Sequence, residues 1–308
     1  MQKRAVSGPN GLPDSTLVEP TTGSRWQQRS ATERALRRLA RHRLALVGAA
    51  CTAVITLVAV FAPVVAASDP TAMNLPHALR PPSAQYPLGT DGFGRDVVSR
   101  LFYGARTSLA VGLGACLLAL LLGLPAGLTA GYVGGRADVA LMRIMDAVLA
   151  FPGILLALVI SATLGPSVTN VVIALGIVYS PGIARLVRGQ VLAVKHEEYV
   201  TAARALGASW ERLLRLHIVP NIISALIVLL TFTFARSVVA EASMSFLGVG
   251  TQPPHPSWGL DVSEARRFIR EASWLVLAPS GLITITVLSI NFVGDGLRDA
   301  FDPQQQDL

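Results

Sequence analysis

The residues that could do chemistry in this 308-residue chain are few and lie far apart in the sequence. A phosphate-binding loop needs a lysine at the end of a Gly-x-x-x-x-Gly-Lys-Ser/Thr sequence, because that lysine and the loop amides hold the phosphates. The chain has only Lys3 and Lys195, and neither ends such a sequence. The sequence therefore predicts no ATP site in this chain.

The other candidate catalytic or metal-binding residues form no group along the sequence. The histidines lie in mostly separate segments, and each is expected to be a solvated or structural residue. Cys51 and Cys116 both lie within long apolar runs, where packing is favoured over a disulfide or a metal pair. We therefore expect no catalytic residue, no bound cofactor and no metal site. The histidines are His42, His77, His196, His217 and His255.

The most informative polar segment is 185–221. Glu198 stands at the start of a run of helix-forming residues, where a negative charge stabilises the positive end of a helix. Gly207 suits the left-handed conformation that ends many helices, and Ser209 can cap a second helix that starts near Trp210. The sequence predicts a short helix, a glycine bend and another helix, which form a rigid projection suited to docking against another protein.

Two ionisable residues, Arg236 and Glu241, lie in or at the end of an apolar run. Ionisable groups within a membrane usually face a cavity or a partner group. One interpretation places the two residues on a transport pathway. The other makes them buried helix-pairing residues near the membrane boundary.

The elements that would position these residues are apolar helices. The chain is 52% hydrophobic and 15% charged, whereas soluble domains are about 25% charged. This composition argues against a disordered chain, a nucleic-acid-binding domain and a disulfide-stapled secreted scaffold. A helix needs about 20 apolar residues to cross a bilayer, and the longest uncharged run must break at the turn 164–167. The predicted fold is all-α, with six transmembrane helices at 44–67, 107–131, 144–164, 168–184, 222–247 and 274–294.

The basic residues predict the orientation of these spans. With the N-terminus inside, the inner segments hold 18 lysines and arginines and the outer segments hold 7. The positive-inside rule then places both termini in the cytoplasm, so the net charge of +7 needs no nucleic-acid partner. The predicted tails are 1–43 and 295–308, and the outer loops are 68–106 and 248–273. Residues 31–43 are either a helix lying on the membrane lipid or a solvated continuation of the first span.

Small residues and prolines predict how the helices pack. Gly123, Gly127, Gly131 and Gly135 recur at every fourth position, which lets two helix backbones approach closely. Pro125 and Pro152 are expected to kink their helices.

The segment 185–221 resembles the EAA loop of ABC importer permeases. The family pattern is Glu-Ala-Ala, three residues, Gly, nine residues, Ile, one residue and Leu-Pro. This chain keeps the spacing, with Thr201, His217 and Val219 in place of Glu, Ile and Leu. In the family this loop forms the coupling helix that sits in a groove of the ATP-binding subunit. The resemblance implies ATPase-coupling roles for Glu198, Tyr199, Ala202, Ala203, Arg204, Leu206, Gly207 and Pro220.

Three other stretches resemble the C subunit of bacterial dipeptide and oligopeptide permeases. They lie at 87–109, 245–259 and 294–303, and the resemblance covers roughly residues 30–305. The outer part of this family motif consists of Gly89, Thr90, Asp91, Gly94, Arg95 and Asp96.

The resemblance implies one half of the pore of a type I importer in the cytoplasmic membrane. A second, B-type permease would complete the pathway, and two ATPase subunits would supply ATP and Mg²⁺ chemistry from inside. An extracytoplasmic binding protein would deliver the solute. The long outer loops either form part of the dock for that protein or only pack against each other.

Several alternatives remain open at this point. Permeases of the same kind carry peptides, nickel, glutathione or other small solutes, and no residue here distinguishes these substrates. An ion-driven secondary transporter would predict acidic residues near the middle of the bilayer, and the spans hold almost none. A membrane-embedded enzyme would predict paired catalytic groups within spans, which the sequence lacks.

Overall fold

The computed structural model describes residues 42–301, and this part of the chain is built from helices without any extended strand. The tail 1–41, with most of the predicted interfacial helix, and the end of the C-terminal tail lie outside the described residues. The longer helices are α1 (Arg43–Val60), α3 (Val97–Val133), α4 (Gly135–Leu149), α5 (Gly153–Leu164), α6 (Val168–Val194), α9 (Val219–Phe246) and α11 (Trp274–Phe301). The shorter ones are α2 (Ala62–Val65), α7 (Glu198–Ala205), α8 (Trp210–Leu213) and α10 (Trp258–Ala265).

Five helical stretches of the described chain are long and apolar enough to cross a membrane. Four of them are α1, α3, α6 and α11, and the fifth is the stretch Trp210–Phe246, in which α8 runs through a π-helical turn at Leu214–Ile218 into α9. The bent pair α4–α5 would make a sixth. The helices do not end where the predicted spans end, because α3 starts ten residues before position 107 and α6 continues ten residues past position 184.

The third predicted span, 144–164, needs correction because it is not one helix. Helices α4 and α5 meet at an angle of 88° between Leu149 and Gly153. Pro152 stands at the break in an extended conformation with φ −57° and ψ 121°. A proline lacks the amide that would continue the hydrogen bonds of the helix and disfavours helical geometry in the residue before it. At Pro152 the expected kink is a full break between two helices, whereas Pro125 lies within a continuous α3.

The packing of α3 against α6 follows the predicted glycine spacing at three of the four positions. A Cβ atom built at Gly123 would lie 2.5 Å from the carbonyl oxygen of Ser180, and one at Gly127 would lie 2.6 Å from that of Ala184. A Cβ at Gly131 would lie 2.7 Å from Val191. Gly135 was expected to join this contact and does not, because α3 ends at Val133 and Gly135 lies in open space with φ +56°.

The remaining helices surround this pair. Helix α9 contacts α3, α6 and α11, and α11 also packs along α1. At one crossing α1 comes so close that a Cβ atom on Gly48 would lie 2.5 Å from the carbonyl oxygen of Ser289. Helix α10, in the outer loop 248–273, packs against α3, α9 and α11. The fold therefore holds the two long outer loops together at one end of a helix bundle and the segment 195–218 at the other.

Candidate functional site

The outer motif 89–96 forms a tight turn around Asp91. One carboxylate oxygen of Asp91 accepts hydrogen bonds from the backbone amides of Phe93, at 2.8 Å, and Arg95, at 2.9 Å. Gly89 and Gly94 have φ values of +72° and +74°, which favour glycine. Asp96 caps α3 by accepting hydrogen bonds from the amide of Ser99, at 2.9 Å, and from its hydroxyl, at 2.6 Å. The motif thus fixes the start of α3.

Arg95 of this turn and Arg100 of α3 are buried in a cluster of carboxylates, which we call the outer charge cluster. The guanidinium of Arg95 donates to Asp91 at 2.5 Å and to Glu264. The guanidinium of Arg100 donates to Asp261, with Nε at 2.9 Å, and to the carbonyl oxygen of Pro70 at 3.1 Å. Since Asp261 and Glu264 lie on α10, the cluster joins one outer loop to the other.

The cluster contains one carboxylate more than it has arginines, and this affects its protonation. Burial lowers the pKa of Arg95, but Asp91 and Glu264 outweigh burial and the pKa is raised above its ordinary value. Burial raises the pKa of the Asp261 carboxyl to about 6, although Arg100 opposes the shift. The Oδ2 atom of Asp261 is buried without a hydrogen-bond partner, which agrees with a carboxyl that holds a proton more readily than usual.

Glu241 is a buried packing residue of α9. It is 1% exposed, and its two oxygens accept hydrogen bonds from the hydroxyls of Ser108 on α3 and Ser245 on α9, each at 2.7 Å. Arg236 is not its partner. Five positions turn a helix by about 140°, so the two side chains point to different faces.

Arg236 lies on the surface of an open groove between helices. The groove has a volume of about 530 Å³ and is lined by residues of α5, α6, α9 and α11. The side chain of Arg236 is exposed, and among residues 42–301 it makes no salt bridge. Of the two interpretations of Arg236 and Glu241, the structure thus supports packing for Glu241 and leaves Arg236 facing a cavity. The polar residues of the groove are Tyr179, Arg236, Asn291 and Asp295.

The segment 195–218 has the local structure expected from the sequence. Gly207 has φ +83°, which confirms the left-handed bend. The hydroxyl of Ser209 accepts a hydrogen bond from the amide of Arg212 at 3.4 Å, which confirms Ser209 as the cap of α8. Helix α7 and the bend after it therefore project from the start of the continuous helix Trp210–Phe246.

Buried apolar residues attach this projection to the bundle. Val200 and Leu213 are fully buried, and the hydroxyl of Tyr199 accepts a hydrogen bond from the side-chain amide of Asn221 at 3.1 Å. Burial, with a smaller effect of the Glu197 carboxylate, raises the pKa of Tyr199, so this phenol stays protonated at neutral pH. The ammonium group of Lys195 donates to the carbonyl oxygen of Gly131 at 2.9 Å, which joins the end of α6 to that of α3.

Two large apolar side chains are exposed on the projection. Leu206 is 89% exposed and Trp210 is 58% exposed. Seven of the eight residues assigned to coupling by resemblance are exposed, and Ala203 is half-buried. Large apolar side chains grouped on an exposed surface mark a contact with another protein or with lipid.

The sequence did not point to several residues that build these sites. Asp261 and Glu264 follow Arg100 by more than 150 positions, and only the fold brings them together. Arg188 likewise donates two hydrogen bonds to Asp138, at 2.5 Å and 2.7 Å, and Arg185 binds Asp146. The presence of isolated charges beside apolar runs was a signal for both groups, but it did not identify the partners.

Comparison with known proteins agrees with this arrangement. Residues 123–306 match the family described as "Binding-protein-dependent transport system inner membrane component", and residues 30–82 match the N-terminal transmembrane domain of oligopeptide transport permease C. The dipeptide transport system permease protein DppC of Alkalihalophilus pseudofirmus is 42% identical over 88% of this chain and 90% of its own. The glutathione transport system permease protein GsiD of Escherichia coli strain 536 is 40% identical over 96% and 95%.

A solved structure shares the fold. A chain of the inward-facing MetNI methionine ABC transporter has a TM-score of 0.54, with 21% identity, and the match covers 66% of this chain and 97% of that one. The predicted all-α fold of a type I importer permease is confirmed. The chain is therefore a multi-pass membrane permease that belongs to the family of binding-protein-dependent transport system inner membrane components.

Proposed function

We propose that this chain forms one half of the translocation pathway of an ATP-driven peptide importer. The observation that carries the proposal is the exposed apolar projection around Leu206, held rigidly at one end of a membrane bundle. In the proposed complex the projection is the coupling helix that contacts an ATPase subunit, and its contact residues are Glu198, Tyr199, Ala202, Ala203, Arg204, Leu206, Gly207 and Pro220.

The continuous helix from Trp210 to Phe246 supports coupling as a mechanical role. A rigid helix moves as one body, so a displacement of α7 and α8 by the ATPase is carried along α9 into the bundle. Arg236 lies on that same helix and faces the groove. ATP binding to the partner subunits would favour one of two global arrangements, and the pathway would open to the other side.

The open groove supports a second permease as a partner. A groove between helices that is open on one side encloses a pathway only when another surface closes it. We propose that a B-type permease of similar fold supplies this surface. ATP and Mg²⁺ would bind only in the two ATPase subunits, since neither Lys3 nor Lys195 ends a phosphate-binding loop.

The outer loops are proposed to receive an extracytoplasmic binding protein. A cleft of about 550 Å³ opens between the two loops, with Asp69, Tyr103 and His255 on its walls. Trp258 is fully buried and donates a hydrogen bond to the carbonyl oxygen of Leu101 at 3.1 Å, so this part of the loop packs rather than docks. The exposed residues Gln252 and His255 are the candidates for docking.

The proposed location is the bacterial cytoplasmic membrane, with both termini in the cytoplasm. The excess of lysine and arginine in the inner segments supports this orientation. Peptides are the favoured substrates because the DppC and GsiD relatives are named for dipeptide and glutathione transport, and glutathione is itself a peptide. Nickel complexes and other small solutes are the alternatives.

The experiment that tests this proposal is reconstitution of the chain with a B-type permease, ATPases and binding protein from the same bacterium. The complete complex should take up a labelled dipeptide into vesicles only when ATP is present on the ATPase side. Uptake by this chain alone, driven by an ion gradient, would contradict the proposal.

A pair of glycine variants tests the coupling role. Gly207→Val should abolish uptake while leaving the protein in the membrane, because a β-branched residue strains the left-handed bend. Gly134→Val is the matched control, since Gly134 also has a positive φ, of +69°, and open space around it. Gly134→Val should keep its uptake, and wild-type uptake by Gly207→Val would show that the bend at Gly207 has no part in coupling.

A further inference from the structure

Among residues 42–301, Arg236 is the one cationic side chain that lines the groove between α5, α6, α9 and α11. We propose that Arg236 binds the carboxylate group of a solute during its passage through the groove. This inference rests on the proposed function, because it assigns a chemical role within the proposed pathway.

Among residues 42–301 no carboxylate pairs with Arg236, although Asp295 lines the same groove. Helix α5 contributes Ile154 to the groove and α6 contributes Tyr179, whose hydroxyl donates to the backbone carbonyl of Arg236 at 3.5 Å. Helix α11 contributes Val287, Asn291 and Asp295. Asp295 is exposed, and no atom of it comes within salt-bridge distance of Arg236 among the described residues.

The depth of Arg236 makes an unpartnered charge costly. It lies 17 residues after Val219 and 10 residues before Phe246 in α9, or about 26 Å and 15 Å along the helix axis. The hydrocarbon core of a bilayer is about 30 Å thick, so Arg236 is at the depth of the lipid chains. An arginine at this depth faces a water-filled cavity or pairs with an anion.

The groove and the side chain both fit a small carboxylate-bearing solute. The volume of about 530 Å³ lies within the range of roughly 300–1,000 Å³ that small-molecule sites have. The planar guanidinium donates two parallel hydrogen bonds to a carboxylate, with a geometry that an ammonium group lacks. A free peptide carries such a carboxylate at its C-terminus. The walls contributed by Ile154, Val239 and Val287 are apolar, which suits solutes of varied side chain.

The inference is tested in the reconstituted complex with two probes, a labelled dipeptide and the same dipeptide with a C-terminal amide. Both are loaded onto the binding protein before the assay. Arg236→Gln should lower the initial uptake of the free dipeptide by about tenfold, the scale of a hydrogen bond to a charged group. The Arg236→Gln complex should take up the amide at the same rate as the wild-type complex does. Arg106→Gln, which changes an exposed arginine at the outer end of α3, is the control and should leave both probes unchanged.

A second variant keeps the inference falsifiable if the amide is a poor substrate of the wild-type complex. Arg236→Cys should regain uptake of the free dipeptide after reaction with a cationic thiol reagent, but not after reaction with a neutral reagent of similar size. Equal uptake by Arg236→Gln and wild type, or an equal loss for acid and amide, would overturn the inference. Failure of Arg236→Gln to assemble with the other subunits would also overturn the inference. Such a failure would mean that Arg236 pairs with the second permease. Lack of ATP-dependent uptake by the wild-type complex would instead contradict the proposed function.

Discussion

Arg100 and Arg236 lie on two helices that contact each other, α3 and α9, but their surroundings are opposite. Arg100 is 2% exposed, and its guanidinium donates to Asp261 on α10 and to the carbonyl oxygen of Pro70. Arg236 is exposed in a groove that Asp295 also lines, but it makes no salt bridge among residues 42–301. Burying an arginine costs several kcal/mol unless partners compensate it, so Arg100 can only be part of the fold. An arginine that the fold leaves uncompensated is available to a partner or a solute.

The same contrast separates the two ends of the bundle. At the outer end the charged residues of the family motif bind other residues of the same chain. Asp91, Arg95 and Asp96 all form hydrogen bonds with nearby residues. At the inner end Leu206 and Trp210 contribute exposed apolar surface. The outer motif therefore stabilises the fold of this chain, whereas the projection leaves apolar side chains without a partner among the described residues.

The largest effect is expected from Arg100→Gln. The change leaves Asp261 buried without its arginine, and breaking a buried pair costs about 3–5 kcal/mol. The free energy of unfolding in detergent should fall by that amount, and the level of the protein in the membrane should fall with it. Wild-type stability in this variant would show that the outer charge cluster does not hold the two loops together.

A smaller loss is expected from Ser108→Ala. The variant leaves one oxygen of the buried Glu241 without its donor at 2.7 Å, and an unsatisfied buried group costs about 1–3 kcal/mol. The same unfolding measurement checks this. The control is Ser243→Ala, because the hydroxyl of Ser243 is exposed and donates only to the carbonyl oxygen of Val239. If Ser108→Ala and Ser243→Ala lowered the free energy of unfolding equally, the hydrogen bond from Ser108 to Glu241 would make no special contribution to stability.

The outer charge cluster should also make stability depend on pH. Because the pKa of Asp261 is raised to about 6 from its ordinary value of 3.8, the folded state binds a proton more tightly than the unfolded state. This contribution to stability is fully present below about pH 4 and is lost as the pH rises through 6. Between pH 7 and pH 5 the gain should be about 1 kcal/mol.

A variant isolates this pH effect. Asp261→Asn should remove the part of the pH dependence that lies between pH 5 and 7, when thermal unfolding is followed at both values. An unchanged dependence in this variant would assign the effect to another group.

The smallest effect is expected from Arg188→Gln. Arg188 binds Asp138 through two hydrogen bonds, but the arginine side chain is 36% exposed, and exposed ion pairs contribute about 0–1 kcal/mol. The unfolding midpoint should therefore move little. A loss as large as that of Arg100→Gln would mean that exposure does not distinguish the two classes of arginine.

The sequence predicted those features that depend on local spacing. Apolar runs of sufficient length predicted the long helices, and Gly207 with Ser209 predicted the bend and the capped helix after it. The break at Pro152 followed from the covalent structure of proline. The angle of 88° between α4 and α5 did not, because it depends on packing against α3 and α6.

Contacts between distant residues could not be predicted from one sequence. Arg95 and Arg100 meet Asp261 and Glu264 only after three helices have packed, and other acidic residues were equally available in the sequence. The sequence also could not show whether Arg236 pairs with another residue or faces a cavity, since a lone arginine in a span is compatible with both. The groove beside α9 could not be predicted from the sequence, because its walls come from four helices that are distant in the chain.

The contrast between the two arginines is tested most sharply when Arg100→Gln and Arg236→Gln are compared in the same reconstituted complex, by unfolding and by ATP-dependent uptake of a dipeptide. We expect Arg100→Gln to lose folded protein, and Arg236→Gln to unfold like the wild type but to take up the dipeptide about tenfold more slowly. Destabilisation of Arg236→Gln to the level of Arg100→Gln would show that Arg236 is a structural residue, and normal uptake by a stable Arg236→Gln variant would exclude its role in solute binding.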